Sequence, residues 1–230
     1  MDNRYHSWRA NAAEATTVNV VMDDAARNVL RNTYMLLSLC LGFSALTAGA
    51  AIVLQLPYPG LILTLLGYFG LLYMVNRNRT SGAGVAWTFA LTGFMGYTLG
   101  PIVGLYLRLP NGGMTVMMAL AATAAIFLTL SAYALMAKRD LSFLGGFLSA
   151  GVMVAFLASL AAIFLQIPAM SLGVSALFVL LMSGMILFET NQIVRGGETN
   201  YIMATVSLFV SLFNLFTSLL QILGFVNNSD

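Results

Sequence analysis

The stretch ILFETNQIVRGGETNYIMATVSLFVSLFNLFTSLLQILG, Ile186 to Gly224, holds two apolar runs around a short polar loop that contains Gly196-Gly197. In the second run, Ser207, Ser211, Asn214, Ser218 and Gln221 follow one another at spacings of four, three, four and three, which is one stripe down a helix. Within lipid there is no hydrophobic drive from helix to helix, so buried faces are those with small and polar residues. The helix is therefore expected inside a membrane bundle or along a cavity. Three readings of the stripe stay open: a seam gluing a central helix to its neighbours, an ion or proton path, and a seam between copies of the chain.

The rest of the chain fits that expectation. Of its 230 residues 60% are hydrophobic and 8% charged, and the mean hydropathy is +0.88. A soluble domain carries about 25% charged residues. Since about 20 apolar residues span a bilayer, the composition has room for seven spans. Charges and turn formers cut the chain into candidate spans at 31–55, 60–76, 84–107, 114–137, 142–165, 169–188 and 201–225. Leu54-Gln55-Leu56-Pro57, Leu107-Arg108-Leu109-Pro110 and Leu165-Gln166-Ile167-Pro168 close the first, third and fifth of these, because proline cannot continue a helix beyond its end. The expected fold is an all-α polytopic membrane protein of seven transmembrane helices, three hairpins and a C-terminal helix. Residues 1–29 form a polar, flexible cytoplasmic tail without the apolar core of a signal peptide, and residues 30–230 form the transmembrane domain.

Orientation follows from the basic residues. Arg4, Arg9, Arg27, Arg31, Arg77, Arg79, Lys138, Arg139 and Arg195 fall on one side and Arg108 alone on the other, a nine-to-one ratio that predicts a cytoplasmic N-terminus and, with seven crossings, an external C-terminus.

Elsewhere the sequence offers few chemical groups. Cys40 and His6 are single, so a disulfide framework, a Cys/His zinc site and a histidine triad are excluded. No P-loop, dinucleotide or metalloprotease motif occurs, no intramembrane aspartate pair occurs, and the net charge of +2 has no basic cluster for nucleic acid. The expectation is a non-enzymatic protein without cofactor or metal, and with lipid bilayer as its surroundings. Gly96, Gly100 and Gly104 make a small-residue ridge with Pro101 inside it, read as close helix packing with a kink at Gly100-Pro101, or as a hinge. Ser38, Gly42, Ala45 and Gly49 form a similar stripe in the first span. Glu189 follows the apolar run directly, and reads either as a proton- or cation-responsive acid or as a hydrated interfacial acid paired with Arg195, Arg139 or Lys138. Glu198, after Gly196-Gly197, reads as a solvated loop acid or a helix-start residue.

FALTGFMGYTLGPI (Phe89 to Ile102), RDLSFLGGFLSAG (Arg139 to Gly151) and the Ile186–Gly224 stretch resemble the Bax inhibitor-1 family, with the FETNQIV…GGETNY run as the specific part. The likeness runs from Leu30 nearly to the end of the chain. It implies six helices around a central seventh. For the bacterial inner-membrane branch that this chain is most similar to, it implies binding to the ATP-dependent membrane protease FtsH as substrate and modulator, with HflK and HflC as companions. On that view the tail, Met1, Asp2, Asn3, Arg4, Tyr5, His6, Ser7, Trp8 and Arg9 at its start, is the handle the protease engages. The wider family implies the alternative, a pH-sensitive calcium or proton leak gated by two acids. The first matches Glu189. The second position is Ser211 here, and a hydroxyl cannot share a proton as a carboxylate does.

Overall fold

The computed structural model describes residues 23–137 and 139–227, with the side chains of Pro168 and Ala169 left aside. Among the described residues the fold is all-helical: α1 (Asp24–Val53), α2 (Leu61–Arg77), α3 (Gly82–Leu107), α4 (Gly112–Met136), α5 (Leu144–Leu165), α6 (Pro168–Val194) and α7 (Tyr201–Asn227). Six of them are long and apolar enough to cross a membrane; α2, with 17 residues, is shorter. At 1.5 Å per residue α2 reaches about 25 Å, against a hydrocarbon core of about 30 Å. The residues 1–22 that contain Met1 to Arg9 lie outside the description, as does Lys138.

The helix ends follow from local chemistry. The two Leu-Gln-aliphatic-Pro turns close α1 and α5 alike, with Gln55 and Gln166 left-handed at φ 51° and 52°. After α3 the matching residue, Arg108, stays right-handed, and Asn111 takes φ 57° three residues later. Two helices overrun their apolar stretches: α1 begins at Asp24, and α6 continues past Phe188 to Val194, where Gly196 at φ +73° turns the chain.

The helices are paired less simply than consecutive hairpins would be. α1 and α2 do not pack on each other; the principal partner of both is α3. The α1–α3 seam is set by glycine. A Cβ at Gly96 would collide with Thr47 and the Ser44 carbonyl, and one at Gly100 would lie 2.6 Å from the Ala51 Cβ and 2.7 Å from the Ala48 oxygen. Gly104 is different, with its nearest neighbour, Ile52, at 3.8 Å. Packing is thus what Gly96 and Gly100 provide, and α3 remains helical through Pro101. The Tyr97 hydroxyl donates to the Pro57 carbonyl at 2.8 Å and ties the α1–α2 turn to α3.

α7 is the most buried of the spanning helices and packs on α1, α2, α3, α4 and α6. Its Leu208, Phe209, Leu212 and Leu215 join Leu37 and Cys40 of α1, Leu91 of α3 and Ile186 of α6 in the main core. A smaller cluster of Val103, Val116, Ala119, Phe216 and Leu220 fills the opposite end. The C-terminal helix is therefore the axis of the bundle.

Candidate functional site

Because α6 runs on as helix beyond Phe188, Glu189 is held inside the bundle, facing α7, rather than hydrated at its edge; it is 9% exposed. The Ser211 hydroxyl donates to it, 3.1 Å from Oε2 and 3.3 Å from Oε1. A carboxylate offers about four acceptor positions, so one shared donor leaves it with capacity to spare. That capacity faces two hollows that Glu189 and Ser207 both line. One, of about 290 Å³, lies toward the α6–α7 loop among Gln192, Gly197 and Glu198. The other, of about 550 Å³, opens toward α2 among Tyr68, Tyr73 and Asn76. Such an acid has room for a proton, a water or a cation beside it.

The remaining stripe residues continue along the same side of α7. Asn214 donates to the Val210 carbonyl of its own helix at 2.8 Å and lines both the larger hollow and a third one, of about 370 Å³, with Ser218. In that third hollow Gln221 bridges to α6: its Oε1 accepts from Ser175 at 2.6 Å and its Nε2 donates to Ser171 at 2.7 Å. The structure thus brings Glu189, Ser207, Ser211, Asn214, Ser218 and Gln221 to one α6–α7 seam, while Gly100 and Pro101 sit on α3. No group of three or more His, Cys, Asp or Glu converges on a metal-sized site among the described residues.

Three residues of the FETNQIV…GGETNY run turn out to clasp loops. Asn191, fully buried, accepts from the Leu141 amide at 3.1 Å and donates to the Arg139 carbonyl at 3.3 Å. Gln192 donates to the Ser142 hydroxyl at 2.8 Å. Asn200 caps α7, its Oδ1 accepting from the Ile202 and Met203 amides at 3.0 Å each, and its Nδ2 donates to the Arg79 carbonyl at 2.8 Å. Sequence reading missed all three as positioning residues; the available signal was polar amides placed just beyond two apolar runs. Glu198 accepts from the Asn200 amide at 2.7 Å, within that same loop. In the α4–α5 loop, the Ser142 hydroxyl and amide hold the exposed Asp140 carboxyl below its ordinary value of 3.8, with a smaller effect from the Arg195 charge.

A helical bundle with six long apolar helices and a polar seam on its axial helix defines a multi-pass membrane protein. More narrowly, the chain belongs to the Bax inhibitor-1 family: residues 26–228 match the family described as inhibitor of apoptosis-promoting Bax1. It is 54% identical over 203 residues, 88% of this chain and 92% of the relative, to the modulator of FtsH protease YccA of Escherichia coli K12. The same identity and coverage hold for the inner membrane protein YccA of Escherichia coli O6:H1. A membrane protein of Vibrio cholerae is 43% identical over 203 residues, 88% of this chain and 91% of its own length.

Proposed function

We propose that this chain is a non-enzymatic, multi-pass inner-membrane regulator of an FtsH-type protease, which it binds, which degrades it, and whose action on other membrane proteins it slows. The observation that carries this is the 54% identity, across nearly both whole chains, with a relative named as a modulator of FtsH. The physical basis is a polar N-terminal segment ahead of a bundle that resists unravelling. An extracting ATPase takes hold of residues 1–29 from the cytoplasm, then meets α1 locked into α3 by Gly96 and Gly100. Slow extraction occupies the protease at the expense of other substrates. The nine-to-one distribution of basic residues supports a cytoplasmic N-terminus. With α2 counted as a seventh crossing, the C-terminus is periplasmic. HflK and HflC are the further partners this reading carries.

The test is the half-life of this protein and of a second membrane substrate, with and without active FtsH, for the full chain and for a chain lacking residues 2–20. Stabilisation of the shortened chain, with faster loss of the second substrate, is the expected result. Equal half-lives in every condition would overturn the proposal.

A second reading, a proton or calcium leak, is favoured by the placement of Glu189 between two hollows. Ser211 in place of a second acid weighs against it, since calcium takes several charged oxygens. Ser211→Asp should then raise cation binding in liposome flux assays, and unchanged flux would remove this reading.

A further inference from the structure

On the side of α7 away from Glu189, the backbones of α1 and α4 stand apart, and an apolar groove of about 500 Å³ runs between them. Its floor is the axial helix: Phe209, Leu212, Phe213 and Phe216. Ala45 and Gly49 of α1 form one wall, Leu120 and Ala124 of α4 the other. This is where the first span's small residues lead. A Cβ at Gly42 or Gly49 would meet nothing within 4 Å, so the stripe does not seat a neighbouring helix. It hollows out a channel instead.

The groove has a closed and an open end. Beyond its closed end Tyr34 of α1, ten residues from the start of that helix, and Phe127 of α4 meet with ring centroids 5.8 Å apart. From Leu41 to Ile52 along α1, both lining residues, is about 16 Å of helix, close to the roughly 15 Å of hydrocarbon in one leaflet. A single hydrocarbon chain fits. The lining is hydrocarbon apart from Ser44 and Thr123, and Thr123 already donates to the Ala119 carbonyl at 2.7 Å.

The open end carries a charge of the right sign. Val103 lines the groove there, and Arg108 lies five residues, about 7 Å, further along α3. Arg108 is exposed, is the one basic residue between Arg79 and Lys138, and has no side-chain partner among the described residues. A cation at the rim of an apolar slot one leaflet deep matches a phosphodiester above an acyl chain.

We propose that the groove between α1 and α4 binds one acyl chain of an anionic phospholipid from the leaflet at the α3–α4 turn, against the phenylalanines of α7, with its phosphate on Arg108. Lipid thereby becomes a ligand of the axial helix, although five other helices pack on that helix and only α5 does not touch it.

The experiment uses the full chain in liposomes containing phosphatidylglycerol with a photoreactive diazirine in one acyl chain. Irradiation and peptide mapping should place adducts on the α7 segment 209–216 as well as on exposed Leu46 and Leu128. Gly49→Leu, which has open space for its side chain, should reduce the α7 adduct about tenfold, the loss of roughly two buried methylene groups. Ala124→Phe fills the groove from the other wall and should do the same, while the adducts on Leu46 and Leu128 persist and report an inserted, folded protein. Arg108→Gln should remove the preference for phosphatidylglycerol over phosphatidylcholine. Absence of α7 adducts in the unaltered chain, or α7 adducts that survive both filling substitutions, would overturn the proposal.

Discussion

The hydroxyl of Ser211 lies 3.1 Å and 3.3 Å from the two oxygens of Glu189, so one donor on the axial helix serves both oxygens of a buried carboxyl group. The polar stripe and the lone intramembrane acid are halves of one feature. Ser211→Ala removes that donor and should lower stability by about 1–3 kcal/mol, read as a lower thermal midpoint in detergent. In the double variant with Glu189→Leu the two losses should not add, because groups in direct contact couple by roughly 0.5–3 kcal/mol. Additive losses would show that the contact contributes nothing.

Glycine substitutions along α3 should sort by depth. Gly96→Ala and Gly100→Ala force α1 and α3 apart, and overpacking of this kind costs about 1–3 kcal/mol each. Gly104→Ala, with its nearest neighbour 3.8 Å away, should be neutral or stabilising. Thermal unfolding of the three single variants in the same detergent makes the comparison, and equal effects at all three positions would contradict the seam as described.

Asn200 separates two jobs by its two side-chain atoms. Asn200→Asp keeps the oxygen that caps α7 and loses the donor to Arg79; Asn200→Ala loses both. Loss of a cap costs about 1 kcal/mol, so the alanine variant should unfold at the lower temperature. Proteolysis between α2 and α3 should increase in both, since both free the Arg79 carbonyl.

The α4–α5 loop should loosen in acid. Asp140 titrates below its ordinary 3.8 because Ser142 donates to its charged form, so this contribution is complete above 3.8 and is lost as pH falls through the lower folded value. Hydrogen exchange at the Ser142 amide, corrected for intrinsic rates, should show protection that fades only below that point. Asp140→Asn should make the protection independent of pH.

Much of this fold is legible in the sequence because apolar length and loop punctuation are local. All seven expected spans coincide with helices, and five of them end within three residues of the expected position at both ends. The misreadings arise where hydropathy and helix part company. α6 extends through Thr190 and Asn191, which are polar yet fully buried; the α4–α5 loop folds over Asn191 and supplies its partners. That extension moves Glu189 from an interface to the interior. The Ser207–Gln221 stripe was visible from spacing alone, but its partners, Ser171 and Ser175, depend on how α6 lies against α7. The first-span stripe of Ser38, Gly42, Ala45 and Gly49 suggests packing by analogy with the α3 ridge, yet spacing reveals only a small-residue face and is silent on what stands opposite.

The absence of an α1–α2 interface bears on the order in which the chain is assembled and dismantled. A nascent chain emerging from the ribosome does not offer α1 its principal partner until α3 has been made, which ends 46 residues after α2 begins. The first two helices are complete before their common partner exists, and α1 can close on α3 only when Gly96 and Gly100 have been made. Traction applied at the N-terminus runs that step backwards: an early mechanical obstacle is the glycine seam between α1 and α3, where neither backbone can slide past the other without moving apart.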